Sequence, residues 1–154
     1  MNKKIKVSDY VSKFLEKNQI KFVFEMSGGM ITRLLDSISQ QSKIKIISFR
    51  HEQSAAFAAD AYGRLTGIPG IALATSGPGA TNLITGIGSS YFDSSPTIFI
   101  TGQVNRSEIK GSKKVRQLGF QETDIVSIIK PITKKALLVT DPNDIPDILE
   151  KSFI

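Results

Sequence analysis

Hydrophobic and polar positions along this chain switch repeatedly between a helical and a strand-like period. Val7, Tyr10, Val11, Phe14 and Leu15 recur at helical spacing through VSDYVSKFLEKN, with Ser8 as the expected cap. Ile20 to Phe24 is strand-like and runs into Glu25-Met26-Ser27-Gly28-Gly29. Ile31, Leu34, Leu35 and Ile38 then form one face of a helix predicted over Met30 to Ser39. Ile44 to Phe49 is a short β-branched run, predicted to be a strand buried on both faces. Ser54 to Leu65 (SAAFAADAYGRL) is rich in strong helix formers. Gly67-Ile68-Pro69-Gly70 reads as a turn and Ile71 to Thr75 as a buried strand. Ser76 to Asn82 is glycine-rich and opens a small-residue helix through about Tyr91. Pro96 to Thr101 is another strand, ending at Gly102-Gln103. The polar, basic stretch from Asn105 to Gly119 predicts a long mobile loop, and Phe120 to Asp124 leads into a short helix, Ile125 to Ile129, stopped by Pro131. Ala136 to Val139 predicts a final strand. Asp141-Pro142 begins a last helix, with Ile145, Ile148, Leu149 and Phe153 as its apolar stripe. The alternation predicts a doubly wound α/β domain of the flavodoxin-like type, a parallel sheet with helices on both faces.

Composition changes this picture little. At 154 residues the chain is one domain by length, with enough residues for a sizeable core. The last helix reaches Ile154 without a terminating glycine or polar tail, so residues 1–154 are expected to be the first domain of a longer, three-domain protein. No apolar run approaches membrane-spanning length, and the basic start Met1 to Lys6 leads into a polar helical pattern rather than a secretory signal. No membrane partner is expected. Zero cysteines remove disulfides and thiolate metal sites, and the cytoplasm is the default compartment. The net charge of +6 gathers at Lys3-Lys4-Lys6, Lys110–Arg116 and Lys130–Lys135. Without interleaved aromatics or a binding motif, this predicts solvated surface and no nucleic-acid partner.

The candidate chemistry lies at three strand-to-helix junctions: Gly28-Gly29, Glu52 and Gly77-Pro78-Gly79, with Gln103 and Gln121 near the same rim. Ligands of open α/β sheets bind at the carboxyl ends of the strands. A carboxylate such as Glu52 is also favoured at a helix N-terminus, so a plain helix-start residue is its bland reading. Ser76 to Asn82 has no lysine after its glycines and is no Walker loop, and Gly77-x-Gly79 lacks the third glycine of a dinucleotide fingerprint. With one histidine, His51, and no cysteine, neither a nucleophilic triad nor zinc chemistry is available. What remains is an acid–base carboxylate in a glycine-lined cleft suited to a flat heterocycle.

Four motifs in register carry a resemblance over essentially the whole chain. They are Arg50-His51-Glu52-Gln53, Thr75 to Asn82 (TSGPGATN), Thr101-Gly102-Gln103-Val104 and Phe120 to Asp124 (FQETD). In these the chain resembles the N-terminal, pyrimidine-binding domain of thiamine-diphosphate enzymes, most of all the acetolactate synthase (acetohydroxyacid synthase) group. The resemblance implies that Glu52 hydrogen-bonds the cofactor's aminopyrimidine and activates it toward a 2-keto acid such as pyruvate. It implies that Pro78 and Asn82 belong to the loop packed on the pyrimidine, and that Gly28 and Gly29 line the same pocket. Gln121 and Phe120 would face the reacting carbons, Gln121 sharing in catalysis and cofactor binding. Magnesium and the diphosphate would be held by a later domain, and some members also carry FAD, mostly on a domain outside these residues. Homodimers or homotetramers would pair through the helices near Glu52 and Ser76–Tyr91. The family pattern Gly-Tyr-Pro-Gly-Gly is here Glu25-Met26-Ser27-Gly28-Gly29, which makes Met26 and Ser27 altered walls of the substrate pocket. A Gly-x-Asp-Ala approach to Phe120 is replaced by Val115 to Gly119 (VRQLG). A related decarboxylase or carboligase with another acceptor, a flavodoxin-like nucleotide binder and a non-catalytic interaction domain stay open as alternatives.

Overall fold

A computed structural model describes residues 4–153; Met1 to Lys3 of the basic start and the final Ile154 lie outside the described residues. Four strands, β1 (Phe22–Glu25), β2 (Lys45–Ser48), β3 (Gly70–Ala74) and β4 (Thr97–Thr101), form one parallel sheet in the order β2-β1-β3-β4. Helices α1 (Val7–Lys17), α2 (Thr32–Gln41) and α7 (Ile145–Ser152) cover one face. Helices α3 (Glu52–Thr66) and α5 (Ile84–Phe92), with the short α4 (Pro78–Asn82) and α6 (Ile125–Ile129), cover the other. This is the doubly wound, flavodoxin-like arrangement.

The two-residue period of the strands divides the core. Val23, Ile71, Leu73, Ile98 and Ile100 point to α1, α2 and α7, where they meet Leu15, Ile38 and Leu149. Phe24, Ala72, Ala74 and Phe99 point to α3 and α5, where they meet Ala56, Ala59, Leu83 and Ile87. β3, between two neighbours and two helical layers, is buried at every residue.

Several expectations change in detail. β2 is not buried on both faces: it pairs with β1 alone, at the sheet edge, and only its Ile46 is half-buried while its other residues are exposed. Ser8 does not cap α1; Lys6 holds the cap position, and the Ser8 hydroxyl accepts from Ser37 of α2 at 2.8 Å instead. The helix after Gly28 begins as a tight 3-10 turn over Gly29–Ile31. The helix after Gly77 is interrupted at Leu83, which separates α4 from α5.

The largest change is at the chain's end. Ala136 to Val139 forms no strand. It lies across a cavity of about 960 Å³ that is lined by both this segment and β4. A strand needs a neighbouring ladder, and Ala136 to Val139 pairs with none of the four strands, so the apolar run stays irregular and Leu137 and Leu138 stay exposed. Asn105 to Gly119, expected to be a mobile loop, is instead tied by hydrogen bonds within itself and to Glu122. Asn105 and Glu108 form a capping box, and the Glu122 carboxylate accepts from the Lys110 and Leu118 amides at 2.7 and 2.9 Å. Those amides, Leu118 first, outweigh desolvation and hold the Glu122 carboxyl below its ordinary value.

Candidate functional site

Glu52 is the first residue of α3, just past the end of edge strand β2. The cap is His51 beside it, whose Nδ1 accepts from the Gln53 amide at 3.1 Å while the ring stays exposed. Relieved of capping, the Glu52 side chain turns inward and is only 6% exposed. Its Oε2 accepts from Asn82 Nδ2 at 2.9 Å. Among the described residues its Oε1 receives no hydrogen bond, and it borders Gly79: a methyl group there would stand 3.1 Å from Oε1. The arrangement is a fixed carboxylate with one oxygen satisfied and the other turned toward backbone that has no side chain.

Glycine is required at three points of this rim by the space available. A Cβ on Gly28 would lie 2.4 Å from the Thr75 side chain, and one on Gly79 would lie 2.7 Å from it. Gly77 has φ +62 and would meet Gln121 Cβ at 2.6 Å, so both backbone conformation and contact demand glycine. Gln121 itself adopts φ +58, an uncommon conformation for a non-glycine residue that is held here by surrounding structure. The loop after β3 therefore joins Glu52, Asn82, Thr75, Gly28 and Gln121 into one contiguous edge.

Thr75 is the member that sequence reasoning passed over. Its side chain wedges between Gly28 and Gly79, and its Oγ1 accepts from the Met30 amide at 3.3 Å. The signal available was its place, one residue past a buried strand and just before a glycine-rich turn. The other expected residues differ in their surroundings. Gln103 spends its amide on its own surroundings, donating to the Thr123 carbonyl at 2.8 Å and accepting from the Val104 amide at 2.9 Å. Phe120 is 74% exposed and Pro78 is exposed. Gly29 is exposed with open space where a Cβ would stand. Met26 is half-buried, and Ser27 donates to Glu25 Oε2 at 3.0 Å. The 960 Å³ cavity is bordered by Gln103 but not by Glu52, Asn82 or Gln121.

With this geometry in place, residues 5–128 match the family described as thiamine pyrophosphate enzyme, N-terminal TPP binding domain. The chain belongs to that family. Acetolactate synthase large subunit of Cyanidium caldarium is 47% identical over 142 residues, covering 90% of this chain and 23% of that protein. Chloroplastic acetolactate synthase of Arabidopsis thaliana is 42% identical over 148 residues, 96% of this chain and 21% of its own length. Acetolactate synthase large subunit of Corynebacterium glutamicum is 42% identical over 139 residues, 90% of this chain and 21% of its own. The chain thus spans between a fifth and a quarter of these relatives. It is an acetolactate synthase-like, thiamine-pyrophosphate-binding domain, and none of its helices, among the described residues, is long and apolar enough to cross a membrane.

Proposed function

We propose that this domain supplies the aminopyrimidine half of the active site of a carboligase acting on a 2-keto acid, pyruvate first, with Glu52 as the residue that activates the cofactor. One observation carries the reading: a buried carboxylate whose Oε2 is held by Asn82 and whose Oε1 is unengaged beside Gly79. The residues fit a flat heterocycle. The Oε1 oxygen, without a hydrogen bond among the described residues, can share a proton with a ring nitrogen, while the glycine turns at Gly77 and Gly79 let Gln121 and Thr75 pack close beside it. Thiamine diphosphate, held here by Glu52 and the glycine-rich rim, would supply electron-sink chemistry toward a 2-keto acid.

Each residue of the chain then has a task. Asn82 fixes the carboxylate rotamer, so that Oε1 and not Oε2 meets the ligand. Glu52 would hold or release a proton at Oε1 toward a bound ring nitrogen. Thr75 sets the spacing of the two glycine turns, and Gln121, braced on Gly77, presents its side chain at the rim. In this reading the diphosphate and its Mg²⁺ belong to a later domain of the complete, three-domain protein, and FAD, where the complete protein carries it, lies outside this domain. A homodimer or homotetramer completes the site, because a rim open on one side leaves the other face of the ring to a second surface. We assign the reaction to the cytoplasm.

Met26 and Ser27, standing where the family pattern has tyrosine and proline, favour a second reading, the same cofactor chemistry with another acceptor. The two share one test. In the complete protein carrying this domain, pyruvate consumption with thiamine diphosphate and Mg²⁺ should fall about 10²- to 10⁴-fold on Glu52→Gln, the usual contribution of a positioned acid–base group. Acetolactate as product selects the first reading, and a different product selects the second. Equal activity of both proteins would reduce Glu52 to a helix-start residue.

A further inference from the structure

Glu25 is a second buried carboxylate, at the carboxyl end of β1, and nothing in the mechanism above uses it. It is 1% exposed, more deeply buried than Glu52. Two serine hydroxyls close over it: Ser27 Oγ donates to Oε2 at 3.0 Å, and Ser48 Oγ donates to Oε1. Ser48 is its register partner on β2, and the Phe49 amide donates to the Glu25 carbonyl at 2.8 Å. Both serines are themselves exposed, so the carboxylate sits beneath them, at the same sheet edge as the candidate site.

Burying a carboxylate is costly unless its oxygens are hydrogen-bonded, and an apolar residue or glycine would avoid that cost altogether. What the hydrogen-bonded network provides is fixed geometry. The backbone beyond Glu25 must carry Met26 and Ser27 to Gly28, which packs on Thr75, and to Met30, whose amide donates to the same threonine. The far end of this turn is held by the Ile31 amide and the Thr32 hydroxyl, both donating to the Gly28 carbonyl at 3.1 Å. The side-chain bond that reaches into its middle is Ser27 to Glu25.

We propose that Glu25 is a positioning residue: its carboxylate, through Ser27 and Ser48, clamps the Met26–Gly29 turn and so sets the substrate-facing wall beside Gly28. It ties β1, β2 and the turn into one rigid corner. Where the family pattern has glycine followed two residues later by a proline that stiffens the backbone, this chain reaches stiffness through a side chain. The clamp stands independently of the reaction; its effect on substrate rests on the function proposed above.

Hydrogen exchange on this chain reads the clamp without any ligand. Glu25→Ala should speed exchange of the amides from Met26 to Ile31 at least about tenfold while leaving those of β3 unchanged. Unchanged exchange in the turn would overturn the proposal. If Glu25→Ala fails to fold, Ser27→Ala decides in its place, since Ser27 is exposed: faster exchange confined to the turn supports the clamp, and none overturns it. Glu25→Gly with Ser27→Pro should restore slow exchange, because proline limits the backbone directly. In the complete protein, Ser48→Ala, which removes a Glu25 partner on β2 and no residue of the substrate wall, should raise KM for the 2-keto acid about three- to tenfold with kcat within about twofold. A loosened turn with KM unmoved would overturn the role in substrate positioning while leaving Glu52 activation intact, and the Glu52→Gln assay tests that activation separately.

Discussion

The two faces of the sheet are packed on opposite principles. Toward α1, α2 and α7 the core is built on Leu15, Val23, Ile38, Ile71 and Leu73, large aliphatic side chains. Toward α3 and α5 it is built from Ala56, Ala59, Ala72 and Ala74, with Leu83 and Ile87. There backbones nearly touch. A Cβ on Gly70 would stand 1.9 Å from the Ala59 carbonyl oxygen, one on Gly63 would stand 2.2 Å from that of Pro96, and one on Gly86 would stand 2.3 Å from Ala56 Cβ. The first face gains stability from buried apolar area. The second buries less per residue but leaves α3 no freedom to shift, and α3 is the helix that begins with Glu52. Precision at the site is placed on the face of small residues.

That contrast predicts a ranking. Gly70→Ala should be the most damaging change, because its new methyl meets backbone that cannot rotate away; a loss above about 4 kcal/mol, seen as loss of the cooperative thermal transition, is expected. Leu15→Ala on the aliphatic face should cost about 3 kcal/mol in urea unfolding, through apolar area lost and a cavity left behind. If Gly70→Ala proves no worse than Leu15→Ala, the contrast between the faces is broken.

The small-residue face also carries a polar seam, and the next prediction concerns it. Asp60 of α3 is buried; it accepts from Arg64 Nε and Nη2 at 3.0 and 2.9 Å and from Ser89 of α5 at 3.1 Å. Arg64 reaches on to Asp93 at 2.6 Å. Burial pushes the Asp60 carboxyl up, but hydrogen bonds from Arg64 and Ser89, with the guanidinium charge, more than offset this and hold it below the ordinary carboxylate value. Arg64 is shifted the opposite way by the same pairing, firmly charged. Asp60→Asn should therefore cost about 2 kcal/mol at neutral pH. A depressed pKa contributes stability above the unfolded value of about 3.9, and that contribution is lost as pH falls through the folded value. The gap in melting temperature between wild type and Asp60→Asn should narrow below about pH 4; a gap constant with pH would show the effect to be packing alone.

The smallest effect is expected at α6, which borders this face through Ile129. Asp124 caps it, accepting from the Ser127 amide at 3.2 Å and from the Ser127 hydroxyl at 2.6 Å. Those bonds hold the Asp124 carboxyl below its usual value. Asp124→Ala should cost about 1 kcal/mol by chemical unfolding, the typical worth of a cap. A larger loss would mean that α6 braces the α5 side more than its length suggests.

Read along the chain, hydrophobic spacing was enough to find all four strands and the main helices, because a half-buried strand or helix needs a fixed apolar period whatever its neighbours are. The same logic misjudged β2, whose apolar run looks like that of a central strand. Whether a strand is central is decided by strand order, and order depends on which crossovers pack together. Ala136 to Val139 shows the limit from the other side: its β-type pattern is sound, but a strand is a pairing, and no ladder reaches it across the cavity beside β4.

For the site, the sequence by itself determined which residue types were present and that Glu52, Gly28, Gly77 and Gly79 stand at strand-to-helix junctions, since those junctions are written in local composition. The tertiary structure alone decided that Asn82 holds one oxygen of Glu52, thirty positions away, and that Thr75 spaces two glycine turns. It also decided that Gln103 is spent on its own loop and that Glu25 lies buried beneath Ser27 and Ser48. Hydrogen-bond partners of a buried carboxylate are chosen by what the sheet and helices bring within about 3 Å, and no local pattern encodes that distance.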